Sequence, residues 1–353
     1  MPQGCEILIN GASDAGLDTP TLVRVTEEAG AASSYSLFFD LRIADGTVPL
    51  LEDERLGPDA DLAVRVRAGG GQAVLVRGPV TAQGISLKPG AADSVLEVCG
   101  ADVSIKLGRE VKVRVWPTVT DEAAISQLLG DAALTPRVTM PTTVSYDESK
   151  NVLVQRETDL HLIRRLSRHQ GCWLWLTYEA ASAAPSAHIA RPPVDADTEV
   201  HFYMDGEQRN IEAVRIDWNS ERITAADSDA RDSFAADDLS GTVERSPLSA
   251  LADHALADIL SQPRRARLTA AVDEAGDLQT RSEAALIEQA WFVSATLSVT
   301  ERVLKNVVRA PSIAELHGVG HRHSGRWLVA RVVHEIDDQD HRMQVTLVRN
   351  AWN

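Results

Sequence analysis

The stretch that decides the fold reads Val154-Gln155-Arg156-Glu157-Thr158-Asp159-Leu160-His161-Leu162-Ile163-Arg164-Arg165-Leu166-Ser167-Arg168-His169-Gln170-Gly171-Cys172. Thr158 followed by Asp159 predicts a helix start, since a threonine hydroxyl caps the first turn and the helix dipole favours an acid there. The apolar side chains that follow line one face, and Gly171 predicts the helix end. A strand over residues 172–176 then predicts a helix–strand corner.

Outward from this corner, residues 111–195 have the pattern of a small α/β module. Thr120 predicts the cap of an earlier helix whose apolar face includes Ile125 and Leu128 and which Gly130 ends. The segment Arg191-Pro192-Pro193 closes the module, because consecutive prolines end regular structure.

The flanking regions read mainly as strands. Residues 62–67 alternate apolar and polar side chains, three glycines turn the chain at 69–71, and residues 73–77 return, which predicts a hairpin in a small barrel or sandwich over 1–110. Strand patterns resume after residue 199 and again from Trp291.

A helical insertion is expected over 233–290. Ser246 is a suitable cap, Pro247 suits the first helical position, and the leucines from Leu248 to Leu260 keep helical spacing.

Composition excludes several classes of protein. The formal charge of −16 argues against binding nucleic acid through a basic field. There is neither an apolar run long enough to cross a membrane nor a secretory signal at the N-terminus. Cys5, Cys99 and Cys172 are widely spaced and predict small buried side chains of a protein made in the cytoplasm.

The histidines near the C-terminus are the strongest candidates for a metal site: His317, His321, His323, His334 and His341. His334-Glu335 is not followed by the second histidine that a zinc-binding helix requires, and the stretch alternates as strands do. We therefore predict no metal site.

No pattern predicts catalysis or cofactor binding. Residues 11–16 superficially resemble a phosphate loop but lack the lysine ending and a following helix. Trp173 and Trp175 alternate with leucines, which favours buried core over a binding platform. We predict no catalytic and no cofactor-binding residue.

Two motifs resemble the phage late control D and VgrG hub family. Residues 154–172 are similar to that family's Q-x-x-E-S/T-D-x-x-F-L-x-R-L-A-x-x-x-G segment. Residues 317–329, followed by His334 and Arg349-Asn350-Ala351, are similar to its G-x-G-x-x-F-S-G-x-Y-x-V … H … R-N-A ending. His323 stands where an aromatic is usual, and Trp327 replaces tyrosine.

This resemblance implies a mainly β fold with α+β inserts. The expected parts are a first tail-tube-like β-barrel over 1–110, the α/β insert module over 111–195, a second barrel over 196–232 and 291–353, and the helical insertion over 233–290. The motifs are expected to identify the family without forming a catalytic site.

The resemblance also implies a function and partners. The family's hub is a homotrimeric ring that adapts a six-fold inner tube to a three-fold spike around a channel for cargo or DNA. Expected partners are a separate spike protein, since the chain stops near the hub's usual end, the inner tube or its initiator, baseplate wedge proteins, and a tape-measure protein or cargo. The expected location is the baseplate of a phage tail or injection particle, assembled in the bacterial cytoplasm and not inserted in a membrane.

Two alternatives remain open. A baseplate adaptor would share the β modules without forming a trimer by itself. A β-rich carbohydrate-binding or hydrolytic tail protein would need an aromatic cleft and an acid with a raised pKa.

Overall fold

The computed structural model describes residues 4–42, 47–89, 93–149, 152–231, 238–269 and 275–353. The fold is mainly β with α+β inserts, as the alternating patterns predicted. No helix in these ranges is long and apolar enough to cross a bilayer.

The N-terminal strands form a contiguous antiparallel arrangement in the order β3-β4-β7-β6-β5-β1-β2. Their bounds are β1 Cys5–Ile9, β2 Ala12–Ser13, β3 Leu22–Glu28, β4 Ser34–Asp40, β5 Asp61–Ala68, β6 Gly71–Ser86 and β7 Val95–Ala101. The predicted hairpin is confirmed, with Val66 opposite Ala73 across the β5–β6 turn.

The region 111–195 contains two helices and short strands around its own apolar cluster, which includes Trp116, Ile125, Leu162 and Ile189. Its elements are β8 Val111–Trp116, β9 Thr118–Thr120, α1 Asp121–Asp131, β10 Thr135–Val138, β11 Ser145–Asp147, β12 Leu153–Thr158, α2 Asp159–His169, β13 Trp173–Tyr178 and β14 Pro185–Ala190.

Both predicted N-caps of this region are confirmed. The Thr120 hydroxyl accepts a hydrogen bond from the Ala123 amide at 3.1 Å, and the Thr158 hydroxyl accepts one from the His161 amide at 3.2 Å. Gly130 does not end α1 as predicted, since the helix continues to Asp131.

The C-terminal half returns to strands with short helices between them. Its elements are β15 Thr198–Tyr203, β16 Val214–Trp218, β17 Ala225–Arg231, β18 Asp238–Val243, β19 His254–Ala255, α3 Leu256–Ile259, β20 Arg265–Thr269, α4 Ala275–Gln289, β21 Val293–Thr300, α5 Glu301–Leu304, β22 Ser312–His317, β23 Gly325–Ile336, β24 His341–Arg349 and β25 Ala351–Trp352.

The strands of the two halves join edge to edge. β23 pairs antiparallel with β3, with His334 opposite Val25, so the order β16-β21-β24-β23 continues directly into β3-β4. A continuous apolar cluster contains residues from both halves, from Ile7 to Leu347. The two β units, expected as two barrels, are therefore hydrogen-bonded to each other and share a core.

The segment expected as a helical insertion over 233–290 contains the helices α3 and α4 together with short strands; residues 232–237 and 270–274 lie outside the described residues. The segment contributes β18 and β20, which flank β17, and α4 packs against this small sheet. The leucine pattern from Ser246 forms only the short helix α3.

The physical reason is a tertiary contact. The Asn350 side chain accepts a hydrogen bond from the Leu251 amide at 2.9 Å and donates one to the Ser249 carbonyl at 2.9 Å. These bonds occupy backbone groups that a helix would need, while Leu251 is buried against Ile313 and Leu328.

Candidate assembly surface

The first motif forms internal contacts at the helix–strand corner. Gln155 is fully buried and donates from Nε2 to Asp159 Oδ1 at 2.7 Å, and Lys112 donates to the other carboxylate oxygen of Asp159 at 2.5 Å. Arg165 donates to Glu157 at 2.8 Å. These polar side chains hold the start of α2, so the motif stabilises the corner.

The end of the same motif contacts the earlier helix. Gln170 is buried and donates to Asp121 Oδ2 at 3.0 Å, which connects the end of α2 with the start of α1. Gly171 has φ +69°, and a Cβ there would lie 2.6 Å from the Ile287 side chain. Both the backbone conformation and the close approach of α4 require glycine.

The C-terminal motif closes the second half of the fold. Arg349 is 1% exposed, and its guanidinium donates to the carbonyls of Ser324 and Leu251 at 3.2 and 3.3 Å. Burial lowers the pKa of Arg349 to about 10. Arg349 therefore ties the turn after β22 to the segment before β19.

The histidines singled out in the sequence do not form one cluster. His334 and His341 are buried together on β23 and β24, with Nδ1 and Nε2 separated by 3.0 Å. His321 and His323 lie in the turn before β23, while His317 lies at the end of β22 beside His201 and Glu315. His201 and Glu315 were missed by the sequence reasoning because neither stands out from its strand pattern.

The two tryptophans predicted to be core are only half-buried. Trp173 packs against Trp291 with ring centroids 6.0 Å apart, and Trp175 stacks on His188 at 5.2 Å. In β13 the buried position is Leu174, because alternate residues face opposite sides of a strand. The stretch 11–16, compared with a phosphate loop, contains the short strand β2 and no helix.

A buried charged group lies where the two halves join. Glu27 on β3 is 2% exposed, accepts from Arg309 Nε at 2.7 Å and the Ala310 amide at 3.1 Å, and lies 3.8 Å from His334 Nε2. Burial alone would raise the pKa of Glu27, but the charge of Arg309 and the contacts with His334 and Ala310 outweigh it, so the pKa is lowered. Arg309 also donates to the Leu75 carbonyl at 3.3 Å, which connects this group to β6.

Exposed apolar side chains gather on the β8–β12 pair of the α/β region. Val113 is 81% exposed, and Val111, Val115 and Val154 face the same way, with Val154 directly opposite Val115. On the other face Trp116 is buried beneath the Arg114 guanidinium, 3.7 Å from the ring centroid.

We call Val111, Val113, Val115 and Val154 the valine stripe. Among the described residues, β8 pairs with β12 alone, so its other edge keeps free backbone donors and acceptors. An exposed apolar stripe beside an unpaired strand edge is suited to contact with another protein surface.

The sequence matches a family described as the Alg8 N-terminal domain over residues 5–338. The chain belongs to this family. The match includes the first β half, the α/β region and the second β half up to β23, and it ends before β24. Comparison with curated protein sequences gives no match.

The fold is shared with proteins of phage tails and secretion systems. It is similar to the tail protein from Neisseria meningitidis MC58, with a TM-score of 0.70 and 13% identity over 98% of this chain and 97% of that chain. It is similar to the 43 kDa tail protein of prophage MuSo2 from Shewanella oneidensis, with a TM-score of 0.70 and 14% identity over 99% of this chain and 100% of that chain.

A further similar structure is an E. coli component of the type VI secretion system that itself resembles tail proteins of bacteriophage T4. Its TM-score is 0.60 at 12% identity, over 98% of this chain and 76% of that chain. The tail-hub type of fold predicted from the two motifs is thus confirmed, while assignment to late control D in particular stays a prediction.

Proposed function

We propose that this chain is a structural hub in the baseplate of a contractile tail or injection system. The observation that carries the proposal is the likeness of fold to two tail proteins over nearly the whole length of each chain. The likeness extends over 98% and 99% of this chain, and the proposal is an analogy based on the whole fold.

The proposed assembly is a homotrimeric ring of the late control D and VgrG type. Three chains with two β units each would present six similar units to a six-fold inner tube and a three-fold face to the spike. Closed rings require complementary surfaces on each copy. The valine stripe is the surface we assign to contact with a neighbouring copy, because burial of its exposed apolar area favours association.

The proposed partners are a spike protein, the inner tube or its initiator, the wedge proteins, and a tape-measure protein or cargo in the channel. The role is structural, with no catalytic step, and assembly takes place in the bacterial cytoplasm. The net charge of −16 suits a channel that repels nucleic-acid phosphates, provided that the acidic side chains line it.

The test is the native mass of the purified chain, by light scattering, alone and with the tube and spike proteins. The expected mass is three times the 38.2 kDa of one chain. A chain that stays monomeric alone and also binds neither protein would refute the hub.

A substitution separates the valine stripe from the rest of the surface. Val113→Asp should weaken the trimer, because a charge placed in an apolar contact is desolvated without a partner. Val303→Asp is the matched control, since Val303 is 51% exposed and lies on α5, outside the valine stripe. If Val113→Asp keeps the mass of a trimer, as Val303→Asp should, the valine stripe is not part of the interface.

A further inference from the structure

One face of the β15–β22 pair gathers two histidines, a glutamate and a tyrosine. These strands run parallel, with His201 opposite Glu315 and Tyr203 opposite His317. Because alternate residues of a strand face the same side, all four side chains lie on one face. Phe202, between the first pair and the second, is fully buried on the opposite face.

Three potential ligand atoms of this group are nearly equidistant. His201 Nδ1 lies 3.4 Å from His317 Nε2 and 3.5 Å from Glu315 Oε2, and His317 Nε2 lies 3.9 Å from the same oxygen. All three separations are longer than a good hydrogen bond, which brings donor and acceptor to about 2.7–3.2 Å. Mutual hydrogen bonding therefore explains the arrangement poorly.

The same separations fit a shared metal ion. The point in the plane of these three atoms that is equidistant from them lies about 2.1 Å from each, which is the bond length of zinc to imidazole nitrogen and carboxylate oxygen. Two histidines and one carboxylate, with a further position open to water, form a ligand set that zinc takes in proteins.

The surrounding contacts hold the imidazoles in place. The Tyr203 ring stacks on His317 with centroids 4.6 Å apart and an angle of 10°. Asn210 accepts from the Tyr203 amide at 2.7 Å and donates to the His201 carbonyl at 2.8 Å, which fixes the backbone of β15 beneath the site. A ligand set held in this way loses less conformational freedom when an ion binds.

We propose that His201, Glu315 and His317 form a binding site for a divalent transition metal, with zinc as the best fit. Histidine nitrogen ligands exclude calcium and magnesium as preferred ions, since both take oxygen ligands. The site has three protein ligands and leaves the remaining coordination open on the surface. The sequence predicted no metal site. The proposed ligands could not be recognised there as a group, because they come from strands more than a hundred residues apart.

The test uses the untagged full chain after treatment with a chelator. Cobalt(II), the probe, should give the visible absorption of a four-coordinate site at one equivalent per chain, and added zinc should abolish it. Calorimetry with zinc should give the same stoichiometry. No cobalt absorption and no heat of zinc binding would overturn the proposal.

Variants assign the ligands. His317→Gln and Glu315→Gln should each weaken zinc binding at least about 100-fold, since changes outside the ligand set alone cost 10- to 100-fold. His161→Gln is the matched control, because His161 is exposed on α2, and it should bind as the unchanged protein does. Unchanged binding in both ligand variants, with far-UV circular dichroism confirming their fold, would place the metal elsewhere and refute the assignment.

Discussion

Replacement of Glu27 by glutamine tests the contact between the two β halves. The carboxylate is 2% exposed and is held by Arg309 Nε at 2.7 Å and by the Ala310 amide at 3.1 Å. Glutamine keeps the volume of the side chain but removes the charge. Arg309 then lies beside a neutral amide, and the amide NH₂ competes with Ala310 as a second donor.

The expected loss of stability follows from the burial of the pair. Removal of one partner from a fully buried ion pair costs about 3–5 kcal/mol. The Arg309 side chain is 27% exposed, so water compensates part of its charge, and we expect a cost of about 2–3 kcal/mol for Glu27→Gln.

A double-mutant cycle identifies the source of this loss. The pair Glu27→Leu and Arg309→Met replaces both charges by apolar groups, which is often neutral compared with a broken pair. The loss of unfolding free energy in the double variant should therefore be smaller, by about 1–3 kcal/mol, than the sum of the losses in the two single variants.

The assay is unfolding in urea, followed by tryptophan fluorescence and far-UV circular dichroism. Coincident curves justify a single free energy of unfolding. Glu335→Gln is the matched control, because Glu335 on β23 pairs with Arg24 on β3, where the two halves join, and both side chains are well exposed. This variant should lose less than about 1 kcal/mol of stability. If Glu27→Gln loses no more stability than this control, or if the losses of the two single variants add up to that of the double variant, the buried pair does not stabilise the contact between the two halves.

Two further predictions concern the C-terminal strands. Burial lowers the pKa of His341 to about 3, so its imidazole stays neutral in the folded state, whereas in the unfolded state it takes up a proton below about pH 6.5. The contribution of His341 to stability is therefore complete above pH 6.5. On acidification towards pH 3 it is lost at about 1.4 kcal/mol per pH unit. His341→Asn should flatten this slope in urea unfolding between pH 6.5 and 4.5, and parallel slopes would contradict the account. Asn350→Ala leaves the buried Leu251 amide without its acceptor and should cost about 2–3 kcal/mol in urea unfolding. Asn219→Ala is the control, because Asn219 is exposed and accepts a local hydrogen bond from the Glu221 amide. An equal loss in both variants would show that the contact with Leu251 is unimportant.

Local patterns were sufficient for much of the fold. Alternation predicted the strands around Val64 and Val345, and threonine caps predicted the starts of both helices of the α/β region. These features depend on contacts within a few residues, so their physical cause is present in the local sequence. The two motifs also predicted the hub type of fold that the structural similarities support.

The sequence by itself determined the mainly β class, the α/β region and the type of fold. Only the tertiary structure decided that the leucines near Leu251 are not helical, since Asn350 takes their backbone hydrogen bonds. Glu27 takes a buried position in β3, where the strand pattern would favour an apolar residue. Only the tertiary structure explains the acid there, because its partner Arg309 is 282 residues away. The approach of His201 to His317 likewise depends on the parallel pairing of β15 with β22, which no local pattern encodes.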